Sequence, residues 1–198
     1  MNEPIALLAL KTLSSLNVTS LHGLKSLNLS RMHLPGILVD RFSSYCRDTG
    51  APDFPDEVQG ITLKNGKTTL ILYRDRLKPE RRNFTIAHEL GHILLSHAEN
   101  SPSSEREADR FAEALLIPTA VVHLLEAGAG RRLSPDDMLR YFPASLSSCK
   151  RKRMDMDSPG YPSPCAEEYK IAENLLRGMV FRSDENIFET QWLFHEDG

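Results

Sequence analysis

Apolar residues recur at helical spacings from residue 4 to about 48: Leu7, Leu8, Leu10, Leu13 and Leu16 first, then Ile37, Leu38 and Phe42. Between them lies an irregular Leu-rich stretch, Leu21, Leu24, Leu27 and Leu29, broken by Gly23 and then by Pro35-Gly36. This whole N-terminal part is read as helices packing a core. The turn-rich run TGAPDFPDE, residues 49–57, follows, and after it the period changes. Ile61 and Leu63 precede Asn65-Gly66, and Leu70, Ile71 and Leu72 come after it. Asn-Gly takes up the positive φ angles of a two-residue type I′ turn, so residues 58–75 are predicted to form a β-hairpin.

Helical periodicity returns at Pro79 and runs to about Leu95–His97, where NSPSS breaks it. Ser104 and Glu107 have the S-x-x-E spacing of a capping box, which predicts a helix over Glu105–Ile117 stopped by Pro118. A further helix is expected over Thr119–Ala127, ending at Gly128-Ala129-Gly130, and then two short ones on either side of Pro143. DSPGYPSP, residues 157–164, reads as a linker. Beyond it lie one helical piece, Ala166–Met179, and an apolar-aromatic end with Phe188, Trp192 and Phe194. No internal repeat of fixed period occurs. The expected organisation is a domain over 1–156, comprising N-terminal helices 1–50, a core 51–126 and a helical segment 127–156. A linker over 157–164 and a C-terminal extension over 165–198 complete it.

Composition acts mainly by exclusion. The 198 residues suit one domain with a small appendage, and 40% apolar with 26% charged residues is ordinary for a globular chain. A net charge of -3 gives no general attraction to nucleic acid or to an anionic membrane. Two local basic runs qualify this. Arg74, Arg76, Lys78, Arg81 and Arg82 are read as a solvated loop and first helical turn, with a docking surface as the functional alternative. Lys150-Arg151-Lys152-Arg153 could contact phosphate, but with net acidity and no interleaved aromatics direct nucleic-acid binding is not expected. Cys46, Cys149 and Cys165 are odd in number and never spaced C-x-x-C, which argues against a disulfide framework or cysteine zinc knuckle and for reduced thiols in a cytoplasm. Glu3 stands where a signal peptide would be basic, so the apolar start is expected to be a helix. No run approaches the ~18 consecutive apolar residues that span a bilayer.

The chemistry concentrates in His88-Glu89-Leu90-Gly91-His92, an H-E-x-x-H. Residues four apart on a helix lie one turn above each other, so His88 and His92 present two imidazoles to one point. Glu89, one step round, can reach a water held there and act as general base. Gly91 leaves room for a close helix approach. A third ligand is still needed. Leu95 and Ala98 stand where a metzincin would require Gly and His. His97 lies about 140° round the helix from His92 and is expected to face elsewhere, as a cation near the helix C-terminus. Among Glu105, Glu107, Asp109 and Glu113, the pair Glu105 and Asp109 shares a face with Ala108 and Ala112, small residues that permit close packing. Glu105 is therefore taken as the third ligand, with Asp109 accepting the outer N–H of a ligand histidine. Glu107 is assigned to the capping box, and Glu113 is expected to face solvent.

FTIAHELGHILL and EREADRFAEALLIP together closely resemble the ImmA/IrrE family of zinc metallopeptidases, whose pattern is Phe-Thr-x-Ala-His-Glu-x-Gly-His followed by E-x-x-A-[ND]-x-F-A-x-x-L-L-x-P. The resemblance spans about residues 58–155. It implies an α+β, compact zincin-like metallopeptidase fold, mostly helical with a small β-hairpin-containing sheet beside the H-E-x-x-H helix. It also implies a gluzincin-type site, with His88, His92 and Glu105 as Zn2+ ligands and Glu89 as general base. Asp109 falls where the family has Asn or Asp. In YFPASLSSCKRKRM, Pro143 and Ala144 replace the commoner residues of a matching helical segment.

What this family does is cut proteins, in its best-understood members a helix-turn-helix repressor, so that a regulon or mobile element is switched on. The implied protein is a cytoplasmic zinc endopeptidase of bacterial or phage origin acting in transcription regulation. Its expected partner is a protein substrate, a helix-turn-helix repressor or antitoxin; the oligomeric state stays open. The rival is a non-proteolytic, zinc-stabilised binding module that sequesters a transcription factor or antitoxin. Glu89 favours the enzyme, because a purely structural site has no use for that carboxylate. Tyr73, Tyr141 and His123 are unranked candidates for stabilising an oxyanion, each read first as a packing residue. A strand within 61–72 is expected to receive the substrate as an added strand.

Overall fold

The computed structural model describes residues 4–99 and 101–177. It opens with α1 (Ile5–Ser15) and the short α2 (Leu21–Lys25), followed by a single 3-10 turn at Leu29–Arg31. Leu7, Leu10, Leu13, Leu21, Leu24 and Leu29 are buried, so the Leu-rich start is core, as its pattern predicts. The helical expectation fails at 37–41, where Ile37–Arg41 is a strand, β1, and α3 (Phe42–Thr49) begins directly after it. Ile, Leu and Val over five residues suit either state. The deciding interaction is a parallel partner some thirty residues later, with Ile37 opposite Thr69 and Arg41 opposite Tyr73.

The hairpin is present as β2 (Gly60–Asn65) and β3 (Thr68–Tyr73), but its turn falls one residue later than predicted. Asn65 pairs with Thr68, and Gly66 supplies the left-handed φ of 59° at the first central position. The sheet order is β1-β3-β2, which leaves β2 an edge strand. Ile71 and Tyr73 of β3 join the main core.

Six helices complete the described chain: α4 (Pro79–Leu94), α5 (Pro102–Leu116), α6 (Thr119–Ala129), α7 (Pro135–Tyr141), α8 (Leu146–Asp157) and α9 (Ala166–Leu175). The architecture is α+β, mostly helical with the small sheet beside α4. Asn83 ties α4 to the N-terminal part, accepting the Leu29 N–H at 3.0 Å and donating to the Leu27 carbonyl at 2.7 Å. The capping box of α5 lies three residues earlier than expected. Ser101 Oγ accepts the Ser104 N–H at 3.1 Å and Ser104 Oγ accepts the Ser101 N–H at 2.7 Å, with Pro102 at the first helical position, where its fixed φ is favourable. Glu107 is thereby released for another contact.

Glu113 does not face solvent. Its carboxylate accepts from Lys152 Nζ at 3.0 Å, and Lys152, 2% exposed, also donates to Tyr161 Oη at 2.7 Å. Arg153 pairs with Glu126 at 2.5 Å and with Asp157 at 3.0 Å. Half of the basic run 150–153 is therefore used internally, and Arg74 likewise bonds the Val58 carbonyl at 2.9 Å. The stretch 102–129 is long and apolar enough to cross a membrane by length and composition, which a count of consecutive apolar residues missed. It is the α5–α6 pair, interrupted at Ile117-Pro118, and 67% of the apolar window is buried inside the protein. The helix expected over Ala166–Met179 reaches Leu175; Met179, Phe188, Trp192 and Phe194 lie outside the described residues.

Candidate metal centre

α4 carries His88 and His92 on one face, and α5 crosses it closely enough to bring Glu105 to both. Gly91 makes that approach possible: a Cβ there would stand 3.1 Å from the Ala108 Cα and 3.2 Å from the Phe111 Cβ. His88 Nε2 lies 3.1 Å from His92 Nε2 and 3.2 Å from Glu105 Oε2, and His92 Nε2 lies 3.5 Å from Glu105 Oε1. These three residues form a group able to hold a metal ion. A tetrahedral ion with bonds of about 2.0–2.1 Å sets neighbouring donor atoms about 3.3–3.4 Å apart. The observed separations bracket that value, so the donor set fits a divalent ion without rearrangement. Burial and the neighbouring His88 push the pKa of His92 down, towards the neutral imidazole that ligates metals.

The cluster forms part of the wall of a cleft of about 720 Å³, bounded on the other side by Gly60, Ile61 and Thr62 of β2. Glu89 sits between the two walls. Thr62 Oγ1 donates to its Oε2 at 2.7 Å. Burial raises the Glu89 pKa, and the Thr62 hydrogen bond and His88 offset part of that rise. A carboxylate made more basic by burial is suited to accepting a proton near neutral pH. Gly60 is what lets the strand come this near: a Cβ there would be 2.5 Å from Thr85 Cγ2 and 3.2 Å from Glu89 Cγ. Gly60→Ala is therefore expected to lower stability by about 1–3 kcal/mol through overpacking and to displace Glu89 while sparing the His88, His92 and Glu105 group. A urea titration, with metal uptake measured in parallel, checks both effects.

Asp109 Oδ1 lies 2.9 Å from His88 Nδ1, the outer nitrogen of that ring. Other parts of the surroundings differ from expectation. His97, assigned to a helix end facing away, turns back onto the site. α4 stops at Leu94, Ser96 adopts a left-handed φ of 57°, and His97 Nδ1 comes to 3.0 Å from His92 Nδ1. Its other nitrogen lies 3.1 Å from Glu107 Oε2. The 140° offset assumed a helix continuing through His97, and the early stop removes that premise. Of the oxyanion candidates none lines the cleft. Tyr73 Oη accepts from Arg41 Nε at 3.4 Å, His123 Nδ1 is 2.9 Å from Tyr169 Oη, and Tyr141 is buried. Thr62, Gly60, His97 and Glu107 were not anticipated as parts of the site. Only Gly60, a glycine opening a strand, carried a local signal.

A peptidase-family model, that of the IrrE N-terminal-like domain, matches residues 46–151. The matched span contains the hairpin, α4 to α7, the first half of α8 and the whole His88, His92 and Glu105 group. No curated protein matches the chain. Among solved structures, a Mycobacterium tuberculosis transcriptional regulator aligns at 16% identity and a TM-score of 0.48, over 80% of this chain and 48% of its own. The chain spans about half the length of that regulator.

Proposed function

The chain belongs to the peptidase family of the IrrE N-terminal-like domain, with a compact zincin-like fold, and from this premise we propose that it is a zinc-dependent regulatory endopeptidase. One observation supports this above others: a three-donor set and a half-buried carboxylate that is not part of it meet in a single cleft. A site serving only to staple the fold would close the fourth position with another protein ligand.

His88, His92 and Glu105 would hold the ion. Zinc, when bound, supplies Lewis acidity towards a peptide carbonyl and lowers the pKa of bound water from ~16 towards ~7. Glu89 takes the proton from the attacking water and returns it to the leaving amide nitrogen. Thr62, by holding one of its two oxygens, keeps the carboxylate aimed into the cleft. β2 contributes its free edge, along which an extended substrate can add as a strand, with backbone hydrogen bonds giving affinity and side-chain pockets giving selectivity. The substrate class we propose is a helix-turn-helix repressor or antitoxin, by analogy with the resembled family. Burial pushes the Cys149 thiol up to about 11, which makes it a packing residue and not a nucleophile; the cytoplasmic setting we propose rests on analogy with the resembled family.

The test compares new protein N-termini in host cells expressing the wild type or Glu89→Gln. Termini that appear only with the wild type establish proteolysis and name the substrate. Identical sets from two folded, metal-loaded proteins overturn the enzyme and leave the sequestering module.

A further inference from the structure

We propose that His97 and Glu107 are positioning residues that set the tautomer of His92, through a carboxylate–histidine–histidine relay running in from the α4–α5 connection. This rests on the metal centre proposed above. The relay is three side chains long: Glu107 Oε2 to His97 Nε2 at 3.1 Å, His97 Nδ1 to His92 Nδ1 at 3.0 Å, and His92 Nε2 turned to the His88 and Glu105 donors. His97 is 10% exposed along its side chain, so water competes little for its contact with His92, while the Glu107 carboxylate, 44% exposed, is partly solvated.

Proton bookkeeping allows one arrangement compatible with ligation. The Glu107 carboxylate is acceptor-only, so His97 carries its proton on Nε2. In neutral His97, Nδ1 is then a lone pair, and the short contact to His92 Nδ1 requires that His92 supply the proton. With Nδ1–H thus held, the lone pair of His92 is on Nε2, the atom that faces the other donors. Reversing the middle bond would place the His92 proton on Nε2 and block that atom. His88 reaches the same state in one step, because Asp109 Oδ1 lies directly on its Nδ1 at 2.9 Å. Both imidazoles are thereby turned with Nε2 inwards, one by a carboxylate directly and one by a carboxylate through a histidine.

The arrangement also explains the local backbone. The left-handed φ of Ser96 is uncommon for a residue other than glycine, and it folds the chain back so that His97 meets the ring of a residue five positions earlier. Outer partners of metal-ligating histidines are worth ~10–100-fold in metal affinity.

Zn2+ affinity, measured by competition with a chromogenic chelator at fixed pH, tests the relay without recourse to activity. His97→Phe keeps the ring volume and removes the acceptor, and is expected to weaken Zn2+ binding by about 10–100-fold while the metal-free protein melts as the wild type does. His97→Gln can accept from His92 through its carbonyl oxygen and donate its amide to Glu107, and is expected to retain affinity to within about threefold, a small part of that loss. Glu107→Gln permits the reversed tautomer and should weaken binding, adding little when combined with His97→Phe. Equal Zn2+ affinity for wild type and His97→Phe overturns the relay while leaving the metal centre standing. Equal losses for His97→Phe and His97→Gln overturn it in favour of packing alone. A folded wild type that takes up no Zn2+ overturns the metal centre and the relay together.

Discussion

Glu89→Gln is expected to reduce peptide cleavage by about 10²–10⁴-fold, the range that a positioned general acid–base contributes, with Zn2+ still bound and the fold intact. The substitution is nearly isosteric. Thr62 Oγ1 can go on donating to the carbonyl oxygen of the new amide, so the 2.7 Å contact that orients this side chain survives. What disappears is the ability to take and return a proton. The proposed metal donors are other residues, His88, His92 and Glu105, so uptake of the ion should be unchanged. Burial, which raises the Glu89 pKa, opposes the charged form, and a neutral amide removes that cost. The variant should accordingly be no less stable than the wild type. Single-turnover cleavage alongside metal content and thermal melting makes the comparison. A variant that cleaves at the wild-type rate would remove Glu89 from the mechanism.

Lys152→Ala is expected to cost about 3–5 kcal/mol of folding stability, towards the lower end because Glu113 keeps some access to water. Lys152 is 2% exposed and Glu113 19%, so the truncation would strand a largely buried carboxylate and remove a partner of Tyr161 Oη. It also opens a cavity beside α5, the helix that carries Glu105. The sign is informative because a buried ion pair need not be net stabilising. Replacing both partners with apolar residues of similar volume, as in Lys152→Met with Glu113→Leu, should recover most of the loss. Denaturant midpoints for the single and double variants decide the matter. Equal destabilisation in both would mean that packing around Lys152, and not the stranded charge, dominates.

The legible features were those whose physics is local. An i, i+4 pair of histidines shares a helix face by the pitch of the helix alone, so two of the three candidate donors could be read from spacing. Alternation around Asn65-Gly66 marked the hairpin, although the turn itself settled one residue later. Small residues at Gly91, Ala108 and Ala112 signalled a close helix crossing, and that crossing brought Glu105 to His88 and His92.

Other features had no local signature. β1 became a strand because β3 offered it hydrogen bonds, and no period within five residues records a partner that distant. Glu113 and Lys152 each look like a surface charge until the fold sets Lys152 of α8 against Glu113 of α5, burying the lysine and leaving the carboxylate little access to water. A helix stop and a left-handed residue separate His97 from His92, a serine cap separates it from Glu107, and only the folded connection sets the three in line. Thr62 and Glu89 lie on a strand and a helix that meet only because Gly60 has no side chain. The sequence by itself determined which groups carry the chemistry and that two of them share a face, since helix pitch and residue type are properties of the chain. Only the tertiary structure decided which acids and histidines surround them, because those contacts depend on where separate elements cross in space.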